Sequence, residues 1–143
     1  MRISRLFIFA VIFSSPLLAQ ETPHVARGTQ GLDKFVIAID NQGSQPLSCE
    51  VATAHWYSVA LGDITPGATL HTVWWKNRRS GEVFILNQLL DRMPVQAFWC
   101  GQRGNSWQTR YQFILPDRRR QRPFSRVFTC REMANRTECR LAI

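Results

Sequence analysis

Between Trp107 and Leu115 the chain alternates. Trp107, Thr109, Tyr111, Phe113 and Leu115 are interleaved with Gln108, Arg110 and Gln112, and Ile114 alone falls out of step. A period of two sends one set of side chains to a buried face and the other to water. The run before it, 95–100, is apolar on both sides, as suits a more central strand. Gly101, Gly104 and Asn105 lie between the two runs and tolerate the positive φ that a turn demands. The spacing predicts a β-hairpin over 93–116, with Cys100 at the end of its first arm, beside Trp99 and opposite Trp107.

The same reading applied upstream yields further strands. In 33–40, Phe35, Ile37 and Ile39 share one face and Val36 and Ala38 the other. In 47–57, Leu47, Cys49, Val51, Thr53 and His55 line one side, with Ser48, Glu50, Ala52, Ala54 and Trp56 opposite. The Ala and Leu content of 50–61 makes a helix the rival there, but Val, Thr, Trp and Tyr favour a pleated surface. Pro66 and Gly67 predict a type II turn. Strands follow at 69–75 and 82–87, separated by a charged turn over 76–81, and 88–92 reads as irregular.

Residues 116–125 break the pattern, with two prolines and four arginines in ten positions. Like charges repel and proline cannot join a ladder, so this stretch is expected to be an exposed Arg-rich loop. Residues 126–143 then form a last hairpin whose register can be derived. If Cys130 faces Cys139, then Arg131 faces Glu138, Glu132 faces Thr137 and Phe128 faces Leu141. One register matches cysteine with cysteine, opposite charges, and apolar with apolar, and such cross-strand pairs stabilise a sheet.

That register fixes the remaining cysteines. The four in the chain pair as Cys130–Cys139 and, by remainder, Cys49–Cys100. A zinc site is the alternative, but there is no CxxC and the spacings of structural zinc are absent. Seven to eight short strands with little helix predict an all-β fold, an antiparallel β-sandwich, Ig-like or small barrel-like, over a single domain at 33–143. An immunoglobulin-type core would carry a Tyr two residues before Cys100, where Phe98 stands, and a Trp at a set place on the strand after Cys49, where none is found, so the expectation stops at sandwich-like.

The first nineteen residues read differently. Arg2 and Arg5 precede an unbroken apolar run over 6–13 and a small residue, Ala19, at the expected cut. This is the pattern of a cleaved secretory signal peptide over 1–19, followed by a flexible lead-in over 20–32. With an even cysteine count, it predicts a periplasmic or secreted protein with no transmembrane segment after cleavage. The formal charge of +8 is uneven: 20–115 carry eight basic and seven acidic residues, whereas 116–143 carry eight arginines and three acids. Basicity therefore belongs to the C-terminal fifth.

Three groups are candidates for function. The arginines Arg118, Arg119, Arg120 and Arg122 suit phosphate or carboxylate, and outside the cytoplasm the matching anions are lipid head groups, lipopolysaccharide and wall polymers. Trp56, Trp75 and Trp99 each neighbour another aromatic, and adjacent strand residues face opposite ways, so one of each pair is expected to be bare and available to a protein or other partner. His55 and His71, with Asp63 between them, supply groups for acid–base work and make a small hydrolase the alternative. An enzyme inhibitor is a third class. No nucleophile elbow, paired-carboxylate motif, HExxH or phosphate loop occurs, so no catalytic residue, metal ligand or cofactor is assigned, nor a specific nucleic acid. The expectation is an exported, non-enzymatic binding or accessory module.

Overall fold

In the computed structural model, residues 25–54 and 57–142 are described. The expected signal peptide, the first part of the lead-in, His55 and Trp56 fall outside them. Nine strands run β1 (Asp33–Asn41), β2 (Leu47–Thr53), β3 (Ser58–Ile64), β4 (Thr69–Lys76), β5 (Val83–Leu86), β6 (Arg92–Gln102), β7 (Tyr111–Phe113), β8 (Arg126–Glu132) and β9 (Thr137–Leu141). No helix is present among the described residues. All nine strands join one hydrogen-bonded path, β3-β2-β6-β5-β4-β1-β8-β9, with β7 also paired to β6.

The sheet is mixed, which corrects the expectation of a purely antiparallel fold. β8 lies parallel to β1, from Ile37 beside Arg126 to Asn41 beside Cys130. Parallel neighbours need a crossover that returns the chain to the side from which the first strand started. Here that crossover runs through β2 to β7, and the Arg-rich stretch is its last leg, carrying the chain from the end of β7 to the start of β8. The stretch expected as an exposed loop is exposed over most of its length and is also the connection that leads into β8.

β6 holds the path together because it pairs differently along its length. Its first residues bind β5, from Leu86 opposite Arg92 to Phe84 opposite Pro94. Its later residues bind β2 on one edge and β7 on the other. The path curls as a result. Rings from five strands touch in series: Phe35 to Trp74 at 6.4 Å, Trp74 to Phe98 at 5.0 Å, Phe98 to Phe113 at 4.3 Å and Phe113 to Phe128 at 4.9 Å. Phe35 and Phe128 stand on neighbouring strands, yet the chain of rings between them runs through β4, β6 and β7. The β6–β7 face therefore lies over β4, β1 and β8, and the core fills the space between. The loop before β7 also reaches the last hairpin, where the Thr137 amide donates to Thr109 O at 2.6 Å.

Both crosslinks are present, Cys49–Cys100 joining β2 to β6 and Cys130–Cys139 joining β8 to β9. The last hairpin has the register derived from its sequence, pair for pair. Pro66 and Gly67 form their turn, closed by Ala68 N to Thr65 O at 3.0 Å. The 93–116 hairpin differs in detail. Cys100 opposes Tyr111, not Trp107. Of the three turn residues only Gly104 uses a positive φ, at 84°. Gly101 is needed for a different reason: a Cβ there would stand 2.1 Å from Ser106 O.

A capped turn ties β1 to the last hairpin. Glu132 on β8 accepts from the amide and the hydroxyl of Ser44. The Ser44 hydroxyl foremost, then nearby backbone amides, hold its carboxyl down to about 2 against an opposing desolvation. A depressed carboxylate stabilises the fold above its unfolded value and loses that contribution as pH falls through the folded one. Glu132→Gln is expected to lower stability by about 1–2 kcal/mol at pH 7, since hydrogen bonds to charged groups are the stronger kind and this one is partly exposed. Thermal melts at stepped pH check it: the gap from wild type should narrow below pH 4.5 and close near pH 2. A gap constant with pH counts against the carboxylate.

Candidate anion-binding surface

The site begins with a buried lysine. Lys76 ends β4 and is 1% exposed. Its side chain lies under the crossover, where Nζ donates to Arg118 O at 2.6 Å and Gln121 O at 3.0 Å. Burial pushes its pKa down, and Asp117 and Asp33 oppose that shift. The ammonium acts as a fastener: two carbonyls of the arginine stretch close on it.

The turn between β4 and β5 fixes the other side. Asn77 Oδ1 accepts from the Arg79 amide at 2.9 Å, and Gly81 N donates to Asn77 O at 2.8 Å. Against this turn the crossover docks by backbone, Arg120 N to Arg78 O at 2.7 Å, and by side chain, Arg119 Nε to Ser80 O at 3.2 Å. Gly81 permits the approach. Its φ is +83°, and a Cβ would fall 2.2 Å from Asp117 O. A side chain here would have to push the backbone of the crossover away.

Two arginine groups remote in sequence thereby meet. An open cleft of about 850 Å³ is lined by Gln30, Gly31, Asn77, Arg78, Arg79 and Arg120. A smaller one of about 320 Å³ takes Lys76, Arg118, Arg122 and Arg126 among its lining. Arg78 is engaged by Asp33 at 2.7 Å, whereas Arg79, Arg118, Arg120 and Arg122 form no ion pair among the described residues and are exposed. Unneutralised guanidinium forks carried on a backbone that is held in place are suited to phosphate oxygens. The sequence carried Arg78 and Arg79 only as a charged turn, because forty intervening residues hid their proximity to Arg120.

The tryptophans divide. Trp56 lies outside the described residues. Trp75 is half-buried, back to back with Trp74, which is fully buried and donates from Nε1 to Thr72 Oγ1 at 2.6 Å. Trp99 was expected to be bare, but it is 3% exposed because Trp107 covers it edge-on at 5.2 Å. Trp107 is the open ring of that pair, with the Arg110 guanidinium 3.7 Å above it. Trp107 lies in the loop before β7 begins, so the strand alternation does not reach it.

His71 is exposed on β4 opposite Ala38, and His55 lies outside the described residues. No group of three metal-ligating side chains occurs among the described residues. No helix among them is long and apolar enough to cross a membrane. Comparison with protein-family models, with curated proteins and with solved structures gives no match.

Proposed function

We propose that the chain is an exported, non-enzymatic binding module, sandwich-like or small-barrel-like in build, that holds phosphate-bearing polyanions through its arginine crossover. One observation supports this above the rest: Lys76 fastens the crossover so that Arg120 shares a cleft with Arg78 and Arg79. A loop already ordered loses little entropy on binding, which favours affinity. The two disulfides agree with an oxidising compartment, as does the basic and apolar start of the chain.

The test uses soluble inorganic polyphosphate and a variant with Arg79, Arg118, Arg120 and Arg122 each changed to alanine. Arg78 and Arg119 are spared because they hold the turn and the crossover in place. A basic residue near an anionic surface contributes about 1 kcal/mol, so affinity at low salt should fall at least about tenfold, and its salt dependence should flatten. Equal affinity and equal salt slope for the two proteins would overturn the proposal.

A further inference from the structure

We infer that Leu89 and Leu90 form a membrane-inserting tip, which works beside the arginine cleft to dock the protein on a bilayer rich in anionic phospholipid. The inference rests on the anion-binding reading above and adds the kind of surface. The two leucines follow β5 in a tight turn and are 68% and 53% exposed. Leu90 has φ 62°, an uncommon conformation for a branched apolar residue. Held strain of this kind points to a positioned element and not to a slack loop.

The turn is also internally satisfied. Leu89 N donates to Asn87 Oδ1 at 2.9 Å and Leu90 N to Asn87 O at 3.0 Å, while Leu90 O accepts from Gly28 N at 2.9 Å. The Asp91 amide also donates to Asn87 Oδ1. The Asp91 carboxylate accepts from Asn87 Nδ2 and is paired with Arg27 at 2.5 Å. Backbone groups entering an apolar medium must be satisfied within the protein, and these largely are. What projects is the hydrocarbon of Leu89 and Leu90, with the exposed Gln88 beside it.

The surroundings fit a bilayer surface. Val25 and Tyr57, 52% and 69% exposed, border a cleft that also includes Asn87, Asp91 and Glu82. Tyrosine is favoured at the level of lipid head groups. Charge lies close by. Arg92 holds the strap before β1 by donating to Gly28 O and Gln30 O. Gly28 touches the tip and Gln30 lines the arginine cleft. Their Cα atoms are two residues apart, so no more than about 7 Å separates them. One short strap thus runs from the leucine tip to the rim of the arginine cleft, and hydrocarbon together with basic charge is the pair of signals that stable attachment to an anionic membrane requires.

The experiment compares wild type with Leu89→Ser/Leu90→Asn, the asparagine chosen because it tolerates the same φ. Probes are phosphatidylglycerol-containing vesicles, pure phosphatidylcholine vesicles and soluble polyphosphate. The variant should bind anionic vesicles at least about tenfold more weakly, with its residual binding removed by salt, and polyphosphate as wild type does. Wild type should prefer anionic vesicles. In Leu89→Trp, emission should shift to the blue on those vesicles and be quenched by brominated acyl chains. Undiminished vesicle binding by the double variant, or no acyl-chain quenching, would overturn the inference while retained polyphosphate binding left the anion site standing. Loss of polyphosphate binding in the four-arginine variant with the tip still inserting would separate the two in the opposite sense.

Discussion

Replacing Cys49 and Cys100 together by alanine is expected to destabilise the protein by about 4 kcal/mol, the chain-entropy value for a link of this span. The two cysteines are 51 residues apart and directly opposed on β2 and β6. Without the link, the unfolded chain regains the freedom of that loop. The Cys130 and Cys139 pair spans only 9, so its removal should cost less, by about 1–1.5 kcal/mol on the same model. Denaturant unfolding of the two double variants checks the order. Equal losses would mean that native-state strain, not loop closure, governs both links.

Phe98→Ala is expected to have a comparable effect, a loss of about 3–5 kcal/mol and a melting point lower by roughly 10–20 °C. Phe98 is fully buried and is the middle ring of the aromatic series, against Trp74 on one side and Phe113 on the other. Truncation leaves a cavity exactly where the two halves of the curled sheet meet, and neither flanking ring can fill it without moving its strand. Ile114→Ser is the control. Ile114 is 87% exposed, so the same measurement should move by less than about 0.5 kcal/mol.

Much of the strand arrangement was legible because alternation and cysteine pairing point the same way. In 126–143 one register satisfied three kinds of cross-strand pair at once, and that register is present. β3 was not legible. Residues 58–64 include Ala60 and Gly62, weak strand formers, and their pairing with β2 slips by one residue at Cys49 and Glu50. An exposed edge strand with a bulge loses the alternation that would announce it. The parallel pairing of β8 was hidden for another reason: direction is set by where the crossover runs, and no local pattern encodes that.

The candidate surface was half visible. A run of arginines stands out in any sequence, but the residues that give it shape do not. Lys76 reads as one more charge in a charged turn, and only its burial reveals that it binds the crossover backbone. Gly81 reads as a turn glycine, and only the nearness of Asp117 shows what its missing side chain allows. The leucines at 89 and 90 fell in a segment too short and irregular for any period to register.

The parallel seam between β1 and β8 has a consequence for how the molecule comes to exist. The Val36 amide reaches Ser125 Oγ across 89 residues of chain, and the whole seam is of that order. A growing polypeptide therefore carries β1 with one unclaimed edge until β8 has emerged. Contacts so distant along the chain close late and slowly. The nascent protein is accordingly obliged to wait, and β1 stays open to chaperones, or to a wrong neighbour, for as long as the intervening chain takes to be made.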